Sequence, residues 1–115
     1  MDKSKIRKLL NQKQDDLLYQ LGRSLTQNEL FASPPSFNEF VRIAERWLNQ
    51  KDSELKKLIC MNMEIKEHIN DFDEIALCAA IADLIATIAF GVPPFTVAAL
   101  IVKKSVVNYC QDHWE

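Results

Sequence analysis

Cys110 and His113 lie three residues apart, so a helix there would set a thiol and an imidazole one turn from each other. Such a pair is a starting point for zinc ligation or for an activated thiol nucleophile. Zinc needs four ligands, and no second pair of C-x-x-C or H-x-x-H spacing accompanies this one. Cys60 and His68 stand isolated, and no glycines are placed to build an oxyanion hole. His68, Asp71, Asp73 and Glu74 crowd into one short stretch and are the residue types of general acid–base work. A solvated junction between helices carries the same types, with acids at the positive end of a helix dipole. No phosphate loop, dinucleotide fingerprint or zincin motif is present. These residues point away from catalysis, and no metal or cofactor is expected.

Asp83 is the sharpest single residue. It is the only charge in 75–102, a run reading IALCAAIADLIATIAFGVPPFTVAALIV. An ionised carboxylate on an apolar helix must reach water or a cation. Lys103, Lys104 and Arg46 are intramolecular candidates, and a lysine or arginine of a partner is the functional one. Glu64, Glu67, Asp71, Asp73 and Glu74 make the preceding stretch acidic, opposed there by Lys66 alone. The candidate partner-binding residues are therefore Asp83, Glu64, Glu67, Asp71, Asp73 and Glu74. Trp114 joins them as a candidate aromatic anchor near the C-terminus. The alternatives are solvated faces and capping acids, and a Trp114 that folds back on the first helix.

Residues 1–23 carry the opposite bias, with Lys3, Lys5, Arg7, Lys8, Lys13 and Arg23. A basic end and an acidic end can pair head-to-tail with copies or partners. The net charge of −2 argues against a dedicated nucleic-acid binder, and the basic stretch lacks interleaved aromatics.

The elements that must position these residues read as helical. With 115 residues, two glycines and four prolines in two pairs, long stretches are free of breakers. Ile6, Leu9, Leu10, Leu17, Leu18, Leu21 and Leu25 predict a first helix over 3–24, interrupted on its apolar face by Lys13 and Gln14. Gly22 marks a weak point or a close helix approach. Thr26-Gln27-Asn28-Glu29 has a capping-box pattern, and Pro34-Pro35 stop whatever it starts. Ser36-Phe37-Asn38-Glu39 is a stronger box, opening an amphipathic helix over 37–50 through Phe37, Phe40, Val41, Ala44, Trp47 and Leu48. Asp52 or Ser53 can cap the next helix, which either continues to Ile69 or breaks near Asn62. Asp71 to Glu74 resembles another box at the start of an apolar hairpin over about 73–110. The first arm is apolar nearly all round, Gly91 is placed to end it, and Pro93 or Pro94 opens the second. Alanines at 79, 80, 82, 86, 89, 98 and 99 would let the arms approach closely.

The uncharged run 84–102 passes for a membrane span on hydropathy. Pro93-Pro94 breaks it at the centre, and each arm alone is too short to cross. The other amphipathic faces also need a core to pack on. The three cysteines are odd in number and widely spaced, and the charged N-terminal stretch lacks the apolar core of a secretory leader. Free, buried thiols in a reducing cytoplasm are the expectation.

The combination Leu21-Gly22-Arg23, Phe40, Trp47-Leu48, Leu58-Ile59-Cys60, Gly91-Val92-Pro93-Pro94 and a lysine-bearing last helix ending at Cys110 resembles small helical effector-associated modules of bacterial conflict systems. The resemblance implies an adaptor or sensor-linked role in defence and assigns no site residue. The expected object is a single all-α domain over 1–115, a compact bundle of five or six helices around the central hairpin. Its expected function is non-catalytic protein–protein interaction, as an adaptor, regulatory or accessory subunit that binds another protein or itself. The alternatives are a membrane-active, holin-like protein using 75–102, and an immunity or antitoxin-type inhibitor.

Overall fold

In a computed structural model, which describes residues 2–27, 29–88 and 91–114, the chain is all-α. Eight helices are present among the described residues, rather than five or six: α1 Lys3–Asn11, α2 Gln14–Leu25, α3 Phe37–Cys60, α4 Met63–His68, α5 Glu74–Thr87, α6 Pro94–Lys103, α7 Val106–Tyr109 and α8 Gln111–Trp114.

The difference in number has local causes. The helix expected over 3–24 divides at Gln12 and Lys13, both extended. Had the helix continued, Lys13 and Gln14 would have followed Leu10 on the buried face at i+3 and i+4. The break lets Ile6 and Leu10 on α1, and Leu17, Leu18 and Leu21 on α2, all be buried while Lys13 stays in water. Gln20 on α2 donates to the Gln12 side chain and braces the joint. Conversely, the helix expected to stop near 50 runs on to Cys60. Asp52 and Ser53 do not cap anything. They lie inside α3, where no glycine or proline interrupts, and Asp52 pairs with Lys56 at 3.5 Å. The last helix is shorter than the hairpin expected over 73–110, because it stops at Lys103 and two single-turn helices follow.

Caps decide most of the starts. The Ser36 hydroxyl accepts from the Glu39 N–H at 3.2 Å, as the box predicts. Asn62 caps α4, which settles the break there. Asp73, not Asp71, caps α5, its carboxylate accepting from the Ala76 N–H at 2.7 Å. The box at Thr26 is not used to start a helix. Thr26 instead ends α2, its buried hydroxyl donating to the Gly22 carbonyl at 3.0 Å. Asn28 of that box lies outside the described residues, as do Ala89 and Phe90 of the hairpin.

The core is built on α6, where every residue from Thr96 to Val102 is buried. The helix packs against α5, α2 and α1, so this chain covers its most apolar segment itself. Its last turn is tied to the end of α1 by Lys103 Nζ, which donates to the Leu10 carbonyl at 2.9 Å. The first hairpin arm is not buried all round. Leu77, Cys78, Ile81, Ala82 and Ile85 face inward, while Glu74, Ala76, Asp83, Ala86 and Thr87 are exposed. Of the described hairpin alanines, 82, 98 and 99 are the buried ones that let the arms approach. Pro93 and Pro94 occupy the N-cap and first position of α6, and Gly91 takes φ +74 in the turn before it.

Candidate functional site

Asp83 reaches solvent on the outer face of α5 and pairs with neither lysine 103 or 104 nor Arg46. It shares a groove with Glu64. One wall is α5, through Ala80, Asp83 and Leu84. The other is α4, through Glu64 and Ile65, and Phe72 closes one side, leaving about 230 Å³. The register explains the wall: 80, 83 and 84 are i, i+3 and i+4 on α5, so they form one strip. Ile65 is buried and anchors α4, while Glu64 beside it points to water. Asn62 fixes where α4 begins by capping the Ile65 N–H at 3.0 Å. Met61 and Met63, on either side of Asn62, are 65% and 60% exposed. Exposed methionines are adaptable apolar contacts that fit irregular partners. Among the described residues, Glu64 and Asp83 take part in no ion pair. The groove therefore offers an apolar floor between two unneutralised carboxylates.

The other candidate residues do not gather there as a set. Glu67 lies one turn along α4 from Glu64 and is exposed. Asp71 bonds to His68 at 3.2 Å, both exposed, so the imagined acid–base cluster is a surface pair at a helix end. Asp73 is occupied in capping α5, and with Glu74 it borders a separate hollow opposite Arg7 of α1. Trp114 is half-buried and folds back on the C-terminal turn of α3, not on α1. Its indole Nε1 donates to the Cys60 carbonyl at 2.6 Å.

The expectation of three free thiols is overturned. Cys60 and Cys110 form a disulfide with Cα atoms 5.4 Å apart, and both are buried. Cys110 is thereby unavailable as a thiolate beside His113. Cys78 alone among the three is free; it lies buried between α5 and α6, and burial pushes its thiol up to about 11. The pairing was not readable from spacing, because the separation of 50 residues says nothing about the distance in space. The argument from free thiols to a reducing compartment does not hold for this pair.

A third hollow, of about 350 Å³, lies between α1 and the start of α6. Leu9, Pro93 and Phe95 make its apolar part, and Lys5 and Lys8 stand at its rim. Its charge is opposite to that of the α4–α5 groove. No helix among the described residues is long and apolar enough to cross a membrane. No protein-family model, curated protein or solved structure matches the chain.

Proposed function

We propose that this chain is a non-catalytic protein–protein interaction module whose α4–α5 groove receives a cationic amphipathic segment of a partner. The supporting observation is that Asp83 and Glu64 line one groove with Ile65, Phe72 and Leu84, and that neither carboxylate takes part in an ion pair among the described residues. An apolar side chain of the partner would fill the space between Ile65, Phe72 and Leu84. A lysine or arginine one turn away would meet the carboxylates, adding orientation and association rate. On the resemblance to effector-associated modules, the setting would be a bacterial defence or toxin system, with the chain as a cytoplasmic adaptor. A labelled peptide of leucine and lysine with helical amphipathic spacing tests the reading by fluorescence anisotropy. Both acids are exposed, so Glu64→Lys/Asp83→Lys leaves the core alone. The double variant should bind the peptide at least about tenfold more weakly, as expected for losing close charge pairs. Equal binding by wild type and variant would refute the reading.

One observation favours a second reading, self-association. The acidic groove and the lysine-rimmed hollow by Phe95 belong to the same chain and differ in sign. Copies pairing one with the other would assemble head-to-tail. Light scattering should then show a mass that rises with concentration and falls with added salt, and a monomer at all concentrations would exclude it.

A further inference from the structure

We propose that the Cys60–Cys110 disulfide is a redox-exchangeable latch on the C-terminal segment 105–114, opened by a dithiol reductant and kept shut by Trp114. Helices α7 and α8 have four residues each, too short to persist by themselves. Their ties to α3 are concentrated on one stretch of it. The disulfide and the indole hydrogen bond both end on Cys60, and Lys56 Nζ sits 5.2 Å from the Tyr109 ring centre one turn earlier. On the other side the segment joins α6 through Ser105, whose φ is +71. That conformation is disfavoured for a residue with a β-carbon and persists only where the surroundings impose it. Removing the covalent tie frees the joint to relax and the turns beyond Val106, which is buried in the core, to lift.

Access to the sulfurs is gated. Cys60 and Cys110 are both buried, so a reductant reaches them only when the last turn moves. Gln111, Asp112 and His113 are exposed, which leaves Trp114 as the side chain of that turn that grips the body of the protein. In the exchange, a thiolate of the reductant attacks one sulfur, breaks the S–S bond and forms a mixed disulfide. The second thiol of the reductant then displaces the cysteine and closes the reductant's own disulfide. Two electrons and two protons finish on Cys60 and Cys110 as thiols. Cys78 does not divert the reaction, because it is buried elsewhere, its sulfur 4.0 Å from the Phe95 carbonyl, and stays protonated at neutral pH. Opening uncovers the cleft where Tyr109 lies with Leu48, Leu100 and Ile101, flanked by Asn49, Asp52 and Lys104. The latch does not depend on the α4–α5 groove binding anything.

The test uses the whole chain with all its cysteines. Hydrogen exchange is compared before and after treatment with dithiothreitol in buffer. Protection across 105–114 should fall on the order of tenfold or more while α5 and α6 keep theirs, as for a local opening. Trp114→Phe keeps an aromatic ring and loses the donor. The native disulfide should then reduce about tenfold faster, the factor for one net hydrogen bond, whereas Cys78→Ala leaves the rate unchanged. Equal protection in both redox states, an unaltered rate in Trp114→Phe, or a disulfide that reduces only when the whole chain unfolds would each overturn the latch.

Discussion

Gly22 on α2 faces the backbone of Phe40 on α3 so closely that a β-carbon on it would lie 2.1 Å from the Phe40 carbonyl oxygen. The obstacle is main chain, which cannot swing aside as a flexible side chain can. Gly22→Ala should therefore destabilise, although alanine is the better helix former by about 1 kcal/mol. A net loss of about 1–3 kcal/mol is expected from forced separation of the helices. The denaturant midpoint measures it, and an increase in stability would mean that the Phe40 backbone gives way to the added carbon.

How far the sequence carried is best seen at this contact. Gly22 was recognisable as a weak point or a close approach, but not which helix approached it. The all-α character, the Ser36 start, the break at Asn62 as one of two options and the hairpin turn at Gly91, Pro93 and Pro94 were all legible, because each depends on a few neighbouring residues. The number of helices was not. Whether Lys13 breaks a helix depends on what buries Leu10 and Leu17, a matter of tertiary packing, while Asp52 is a residue type that suits a cap and a helix interior alike, and no glycine or proline stops α3 before it.

The candidate site was half legible for the same reason. Unusual charge placement identified Asp83, and composition identified Glu64, but nothing local shows that α4 lies beside α5. The floor residues Ile65, Phe72 and Leu84 look like any other apolar positions of helices. In the sequence Trp114 is an aromatic near the chain end, and its role emerges only with the turn of α3 that it covers. The disulfide was wholly hidden, since pairing is a fact of distance in space.

Alkaline pH should weaken the fold through Cys78. Its thiol is raised from 9.0 to about 11 in the folded protein, because burial penalises the thiolate. The unfolded chain then loses this proton first. Stability is intact below about pH 9 and falls as the pH rises from 9 to 11. Burial also raises the Tyr109 phenol, with Asp52 contributing, so its effect has the same sign. Cys78→Ala should flatten the decline in thermal midpoint measured across this range, and an unchanged slope would show that the thiol is not the cause.

Neighbouring acids before α5 should respond differently to the same change. Asp73 caps the helix, with its carboxylate 2.7 Å from the Ala76 N–H, so Asp73→Ala should cost about 1 kcal/mol. Asp71 makes an exposed pair with His68, so Asp71→Ala should cost less than about 0.5 kcal/mol. Urea unfolding of the two variants decides it; a larger loss for Asp71→Ala than for Asp73→Ala would mean that the helix starts at the earlier acid.

The α4–α5 groove is the centre of the functional account, and mapping it residue by residue tests it most directly. Amide and methyl NMR shifts are followed as the leucine–lysine amphipathic peptide is titrated into the wild-type chain. The account predicts that the shifts concentrate on Ile65, Phe72, Ala80, Asp83 and Leu84, with Met61 and Met63 at the edge. Shifts that gather instead around Leu9 and Phe95, or on no connected surface, would contradict it.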